Sequence, residues 1–281
     1  MSTRLRWEIC FAGSMVTVEY DCPLVKEILD SIIYPFESNG PDEPHASFFL
    51  DVSQDTPPII SIYQNGQEVH KSRQIANVSE SLMSLICHQL ADNSQSGLLF
   101  HAAGLARKKD GILIPGGIGK GKSTFTAWML SLGFDYLSDE MVYFPWKSNR
   151  MISLHRPLNI KKPSRVVIDR IVDVNNPGKN TLVGTHSDLI DPALINPKTK
   201  YTQPVVKWIL FPTYKKDVNP SWQYLTTAQT GLELMKCLVN ARNLPAHGFS
   251  ETARLARSAQ GIIFTYSSFD QIKHRILELF N

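Results

Sequence analysis

A glycine-rich stretch between residues 111 and 123 constrains the fold more than any other part of the chain. It reads GILIPGGIGKGKS and fits the pattern G-x-x-x-x-G-K-[ST] at every fixed position from Gly116 to Ser123. Glycines let the backbone curl so that successive N–H groups point inward, where they can bind phosphate oxygens. An apolar run before the stretch indicates a strand, and apolar spacing after it indicates a helix. The sequence therefore predicts a strand, a phosphate-binding loop and a helix whose N-terminus favours an anion.

The loop and the start of the following helix are predicted to bind a nucleotide. In such loops the lysine, here Lys122, lies between the β- and γ-phosphates, and the hydroxyl of Ser123 binds Mg²⁺. By itself the loop therefore predicts a bound polyphosphate together with Mg²⁺. The predicted nucleotide-binding residues are Gly116, Gly117, Ile118, Gly119, Lys120, Gly121, Lys122, Ser123 and Thr124.

Bulk composition narrows the class of protein. The chain has 281 residues, 43% of them hydrophobic, and a net charge of +3. It has no basic run with interleaved aromatic residues, which argues against a nucleic-acid partner. No stretch reaches the roughly 18 apolar residues of a membrane helix, and the N-terminus lacks the apolar core of a signal peptide. A cytoplasmic protein without a membrane partner is expected.

The patterning predicts two domains, with residues 1–95 forming a small α+β unit and residues 98–281 the nucleotide-binding domain. In the first unit Asn65-Gly66 indicates a hairpin, and its glutamates and His88 are expected to be solvated surface. In the second, residues 152–160 and 166–172 are predicted strands, and residues 173–203 a long loop of the kind that is usually functional or mobile.

Three further features are candidates for chemistry. Asp139-Glu140 interrupts a strand after the loop helix, where a carboxylate can hold Mg²⁺ and a second can accept the proton of an attacking hydroxyl. Neighbouring strand residues face opposite sides of the sheet, so Asp139 and Glu140 can serve the same site only if the strand ends or kinks here.

His101 lies on an apolar strand that should pair with the strand before the loop, which would bring the histidine toward the mouth of the loop. Arg156 follows a later strand and is a candidate cation for the transferring phosphoryl group. Further candidate cations are Lys161, Lys162 and Arg165.

Together these residues resemble a known family. The segments HAAGLA, GILIPGGIGKGKST and GFDYLSDEMVYF are similar to the catalytic domain of HPr kinase/phosphorylase and its shorter relatives, over about residues 98–281. In that family a histidine precedes the loop lysine by 21 residues, as His101 precedes Lys122. An acidic pair follows the lysine by 17–18 residues, as Asp139 and Glu140 do.

The resemblance implies a fold and site roles. The fold class it implies is α/β with an α+β leaning: a phosphoenolpyruvate-carboxykinase-like, mainly antiparallel mixed sheet with a phosphate loop, plus the N-terminal α+β unit. Lys122 would hold the transferring phosphoryl group, Ser123 and Asp139 the Mg²⁺, and Glu140 would be the base. Residue reasoning alone leaves open which carboxylate is the base. The catalytic set is His101, Lys122, Asp139, Glu140 and Arg156.

The chain also departs from that family's pattern. Thr124 and Glu140 stand where the bifunctional enzymes have Glu and Asp, and Leu154 lies near the position of an acidic metal ligand. These differences argue against a phosphorylase half-reaction and against HPr as substrate. Some short relatives look like tailoring kinases for ribosomally made peptides, such as lasso-peptide precursors.

The sequence thus predicts an ATP- and Mg²⁺-dependent serine kinase that acts on a peptide or protein, and a homo-oligomer is compatible with the resemblance. One alternative is a kinase for hydroxyls of small molecules. The other is a non-catalytic, nucleotide-binding regulatory module whose 173–203 loop orders when ATP binds.

Overall fold

The N-terminal part of the chain forms a sheet that shares a core with two helices. The computed structural model describes residues 4–34, 41–117, 121–171 and 181–280. The first strands and helices are β1 (Leu5–Phe11), β2 (Ser14–Tyr20), α1 (Pro23–Ile32), β3 (Ala46–Val52), β4 (Ile60–Gln64), β5 (Gln67–Ser72) and α2 (Ile75–Asn93). In these ranges the five strands join in sequence order, and every pair is antiparallel except β2 with β3. Asn65 and Gly66 both have positive φ between β4 and β5, so the predicted hairpin is confirmed.

The strands that come before and after the predicted phosphate loop in sequence belong to a second sheet. Its strands are β6 (Gly97–Arg107), β7 (Asp110–Pro115), β8 (Asp135–Ser138), β9 (Met141–Pro145), β10 (Ile152–Ser153), β14 (Val205–Tyr214), β15 (Ser221–Tyr224) and β16 (Gln260–Tyr266). Among the described residues the order is β10-β9-β6-β7-β14-β16-β15, and β8 pairs with another part of β6. The β7–β14 and β14–β16 pairs are parallel, and the other pairs are antiparallel. The predicted class, a mixed α/β fold with a mainly antiparallel sheet, is confirmed.

The remaining elements cover this sheet. The helices are α3 (Lys122–Ser131), α4 (Arg165–Ile168), α5 (Thr227–Met235), α6 (Phe249–Ser258) and α7 (Asp270–Glu278). A small sheet contains β11 (Leu158–Lys161), β12 (Thr181–Val183) and β13 (Ser187–Ile190), with β13 in the middle. Short 3₁₀ helices occupy Lys162–Ser164, Pro192–Leu194, Ala241–Asn243 and Pro245–Gly248.

Three predictions about the segment after residue 150 need correction. The single strand predicted at 152–160 is two short strands, because Ile152–Ser153 pairs with β9 whereas Leu158–Lys161 pairs with β13 in the small sheet. The predicted strand at 166–172 is wrong up to residue 171, because Arg165–Ile168 is a short helix that starts just after Pro163 and leaves Val166 exposed. Its β-branched residues suit a strand, but only Ile168 of this helix is buried. The predicted loop at 173–203 contains β12 and β13, which pair with each other and with β11. Residues 172–180 lie outside the described residues.

The two sheets meet through a shared hydrophobic core. The cluster built on the first sheet and α2 includes Leu99 of β6 and Met141 and Tyr143 of β9. The polypeptide passes from α2 to β6 through residues 94–96, at the predicted domain boundary, which stays a prediction. Within the described ranges, no helix has the length and apolar character that crossing a membrane requires.

Candidate active site

The hairpin of β6 and β7 brings His101 to the loop, as the sequence predicts. Ala102 pairs with Pro115 at the end of the hairpin, so His101 lies level with the point where the chain leaves β7. The N–H of Gly116 donates to the His101 carbonyl at 3.4 Å. The Nε2 atom of His101 lies 2.8 Å from Nζ of Lys122. The hairpin thus fixes an imidazole beside the loop lysine.

The start of α3 has the backbone that the loop motif requires. Gly121 has φ +80°, a left-handed conformation that glycine adopts readily, and its carbonyl accepts the N–H of Phe125. Lys122 is only 7% exposed, and its ammonium also donates to the carbonyls of Gly116 and Gly117 at 2.7 and 3.2 Å. The predicted nucleotide-binding residues Ile118, Gly119 and Lys120 lie outside the described residues. The first N–H groups of α3 have no partner inside the helix, so its N-terminus favours an anion.

The acidic pair forms a turn rather than part of a strand. β8 ends at Ser138 and β9 begins at Met141, so Asp139 and Glu140 lie between the two. The Ser138 hydroxyl accepts the N–H of Glu140 at 3.3 Å. Because the strand ends here, both carboxylates line one cavity. The strand therefore ends at the acidic pair, which is what both residues need if they are to serve the same site.

Five side chains form a continuous row that we call the charge chain: Lys122, His101, Glu140, Arg156 and Asp139. Nδ1 of His101 lies 3.0 Å from Oε1 of Glu140. Arg156 reaches both carboxylates, with NH1 at 3.2 Å from Glu140 Oε2 and Nε at 3.7 Å from Asp139 Oδ1. A lysine ammonium can only donate, so Nε2 of His101 accepts and Nδ1 carries the proton that Glu140 accepts. One imidazole thus links the loop lysine to the acidic pair.

Asp139 and Glu140 have different surroundings. Asp139 is buried, and its oxygens accept the Tyr136 hydroxyl at 3.3 Å and the Asn159 backbone N–H at 3.0 Å. The Glu140 side chain is 32% exposed and reaches the open part of the cavity. Asp139 is therefore held rigidly, whereas Glu140 is accessible to a molecule that enters.

The charge chain shifts the pKa values of its members. Burial alone would raise the pKa of Glu140, but the hydrogen bond from His101 and the charges of Arg156 and Lys122 outweigh it and lower the pKa to about 2. Burial lowers the pKa of Lys122, against the opposing charges of Glu140 and Asp139. Burial would also lower the pKa of Arg156, yet the two carboxylates beside it raise its pKa above the ordinary value. Glu140 and Arg156 are therefore both charged throughout the neutral range.

The other predicted cations are divided between this site and a structural cluster. Lys161 is exposed and lines the cavity. Lys162 and Arg165 instead contact opposite oxygens of Asp188, each at 2.5 Å, where they join β13 to the start of α4. Leu154 is fully buried in the core of the first sheet. Of the candidate cations, Arg156 makes the most extensive contacts with the acidic pair.

The cavity above the charge chain is large and is bordered by α2. It measures about 990 Å³ and is lined by Lys122, Ser123, Asp139 and Glu140 on one side. Thr124 follows Ser123 in α3 and is half-buried. Polar residues of α2 that line the cavity are Glu80, Ser81, Ser84, His88 and Asp92.

The sequence did not predict that α2 lines the cavity, because the glutamates of the first unit were expected to be solvated surface. His88 is indeed exposed, but Glu80 is half-buried, and its Oε1 accepts Nδ2 of Asn159 at 3.3 Å. The signal in the sequence is a polar residue at every fourth position, Glu80, Ser84, His88 and Asp92, along a helix that is otherwise rich in apolar residues.

Comparisons with known proteins give distant similarity to solved structures. Neither the known family models nor the curated proteins contain a match to this chain. Among solved structures, the chain is similar to the HPr(Ser) kinase/phosphatase from Coxiella burnetii, at 14% identity over 65% of this chain and 99% of that chain, with a TM-score of 0.32. A TM-score this low reflects a distant likeness of shape and is no evidence for shared residue roles.

Proposed function

We propose that the chain is an ATP- and Mg²⁺-dependent phosphotransferase that transfers the γ-phosphoryl group to a hydroxyl, most favourably a serine of a peptide or protein. The observation that carries this proposal is the charge chain. It joins a lysine at the start of a phosphate-loop helix to an accessible carboxylate through one imidazole, over 2.8 and 3.0 Å contacts. Phosphoryl transfer needs this combination of a cation on the phosphates and an acceptor for the hydroxyl proton.

The groups present suit a bound polyphosphate. The backbone N–H groups at the start of α3, the Lys122 ammonium and the Ser123 hydroxyl are all donors. A Cβ placed on Gly117 or Gly121 meets no atom within 4 Å, so the described part of the loop leaves open space beside its backbone. That combination of donors and space is typical of a phosphate cradle.

The oxygen ligands also suit Mg²⁺. Ser123, Asp139 and Glu140 all line the cavity. No group of three or more His, Cys, Asp or Glu side chains in the described ranges could hold a metal by itself. Mg²⁺ in nucleotide-dependent enzymes typically takes one or two carboxylates together with the phosphates, so Ser123 and Asp139 are the residues proposed to hold it. When bound, Mg²⁺ supplies charge neutralisation for the phosphates.

Glu140 is better suited to orient the acceptor than to act as a strong base. With a pKa of about 2 it is ionised at neutral pH and binds a proton weakly. A loose phosphoryl-transfer transition state places little demand on base strength, and positioning contributes most of the rate. We therefore assign Glu140 to accept a hydrogen bond from the acceptor hydroxyl and to take its proton late. Asp139, fixed by Tyr136 and Asn159, keeps Arg156 in place.

The proposal is tested by incubating the full-length protein with γ-labelled ATP, Mg²⁺ and two panels of acceptors, serine peptides and hydroxyl-bearing metabolites. We expect label on peptides with the wild type and a drop of about 10³-fold with Lys122→Ala, because the phosphates lose their central cation. Lys109→Ala, in the exposed turn between β6 and β7, is the matched control and should keep full activity.

Two results would contradict the proposal in different ways. Label on metabolites alone would identify a small-molecule kinase. Tight ATP binding without transfer to either panel would identify a nucleotide-binding regulatory module.

A further inference from the structure

The Glu80 carboxylate differs from the other charged groups on the α2 side of the cavity. Asp92 forms an ion pair with Arg242, and its other carboxylate oxygen lies 3.2 Å from Nε2 of His88. Glu80 accepts a hydrogen bond from the neutral amide of Asn159 and, among the described residues, has no ion pair. Lys161 lines the same cavity but forms no ion pair with that carboxylate in the described part of the chain. A half-buried carboxylate without a cation beside it is available to one that enters the cavity.

Glu80 is also close to the reacting groups. Asn159 donates its backbone N–H to Asp139 at 3.0 Å and its side-chain Nδ2 to Glu80 at 3.3 Å. One residue thus joins the α2 wall to the acidic pair. Since residues of an extended peptide are about 3.3 Å apart, a side chain bound by Glu80 belongs within about three residues of a hydroxyl held by Glu140.

The cavity has the dimensions of an extended peptide. Glu80 and Asp92 both line it and lie twelve positions apart along α2, which is about 18 Å at the rise of an α-helix. That length matches about five residues of extended chain. The volume of about 990 Å³ is at the upper end of the range for small-molecule sites. The wall is therefore long enough for about five residues of an extended peptide.

We propose that α2 is the wall on which the acceptor peptide docks, and that Glu80 selects peptides with a lysine or arginine within about three residues of the acceptor. This inference rests on the proposed transfer to a peptide hydroxyl. Ser81 and Ser84 offer hydroxyls on the same wall for hydrogen bonds to the peptide backbone. The unpaired charge of Glu80 attracts the basic side chain, and the position of Asn159 sets its distance from the site.

The test measures binding of fluorescent nine-residue peptides by anisotropy, using the full-length chain. Each peptide has one serine and either Arg, Ala or Asp at each position within three residues of it. We expect the wild type to bind the best Arg peptide about five- to tenfold more tightly than the matched Ala peptide. Glu80→Gln should remove this preference while keeping an oxygen that accepts the Asn159 amide, so the melting temperature should not change. Glu80→Lys should prefer Asp peptides.

Glu27→Gln is the matched control, because Glu27 is exposed on α1 and lines no part of the cavity. It should leave the preference for Arg peptides intact. The inference is overturned if the wild type binds none of the peptides, if it binds Arg and Ala peptides equally, or if Glu80→Gln keeps the preference.

The binding assay separates this inference from the proposed function. Lys122→Ala should lose phosphoryl transfer and still prefer Arg peptides. A wild type that shows the charge preference but transfers no phosphoryl group would uphold the docking wall and refute the kinase. Phosphoryl transfer without any preference for charged peptides would uphold the kinase and refute the docking wall.

Discussion

The two helices that border the cavity, α2 and α3, contribute to it in different ways. α3 points its N-terminus at the cavity and buries nearly all of its other residues, among them Phe125, Trp128 and Met129. α2 instead presents a side, on which polar residues recur every four positions. Backbone N–H groups bind any phosphate, whereas side chains on a helix face distinguish one ligand from another. The comparison suggests that α3 supplies the chemistry common to many substrates and α2 the choice among them.

The largest predicted effect concerns the charge chain, which begins at Lys122 of α3. Arg156 is 3% exposed and lies between two carboxylates. Arg156→Met should destabilise the fold by about 3–5 kcal/mol, because Asp139 and Glu140 are left without their shared cation. Urea unfolding at pH 7 measures the change, and Arg170→Met in an exposed position is the control. A loss below about 1 kcal/mol would show that the charge chain does not act as one unit.

A second prediction concerns the stability of the fold at low pH. The pKa of Glu140 falls from its ordinary value of 4.5 to about 2 in the folded protein, so its charge stabilises the fold above pH 4.5. That contribution is lost as the pH falls through about 2. Between pH 5 and 2 the wild type should therefore lose about 2 kcal/mol that Glu140→Gln does not lose. Parallel urea titrations of both proteins across this range provide the measurement, and identical pH profiles would contradict the low pKa.

A smaller effect distinguishes two glycines of the loop. A methyl group at Gly117 or Gly121 meets no atom of the described residues within 4 Å, and of these two glycines it is Gly121 that has a positive φ, of +80°. Gly121→Ala should cost about 1 kcal/mol through backbone strain and weaken nucleotide binding, whereas Gly117→Ala should be tolerated by the fold. Thermal unfolding and calorimetric titration with ATP compare the two. Equal costs would mean that the helix start does not depend on the left-handed turn.

The smallest predicted effect lies on α2. His88 is 68% exposed and pairs with Asp92, which Arg242 also contacts. His88→Gln should change the free energy of unfolding by less than about 0.5 kcal/mol and leave the preference for Arg peptides intact. Chemical denaturation and the anisotropy assay check both statements. If His88→Gln abolished the preference as Glu80→Gln should, selection would belong to the whole face of α2 rather than to Glu80.

The same contrast explains what could be predicted from the sequence. The loop motif and the β6–β7 hairpin are local patterns, so they place Lys122 beside His101 without knowledge of the rest of the fold. The contact between Glu80 of α2 and Asn159 of β11 joins residues 79 positions apart, and no local pattern encodes it. For a related reason, the sequence does not decide whether the strand continues through Asp139 and Glu140 or ends there. Alternation within a strand gives the facing of its residues, but the position where the strand ends depends on its pairing with β6.

The arrangement of the charge chain along the sequence has a consequence for how such a protein diversifies. All five of its residues lie between positions 101 and 156, and Asn159 follows within three residues. The docking wall is encoded separately, between positions 80 and 92. Of the five α2 residues that line the cavity with polar side chains, Glu80 is the one that bonds the later stretch, through Asn159. If the proposed function and docking wall hold, substitutions in α2 that spare Glu80 would change the choice of acceptor and leave the residues proposed for the reaction in place.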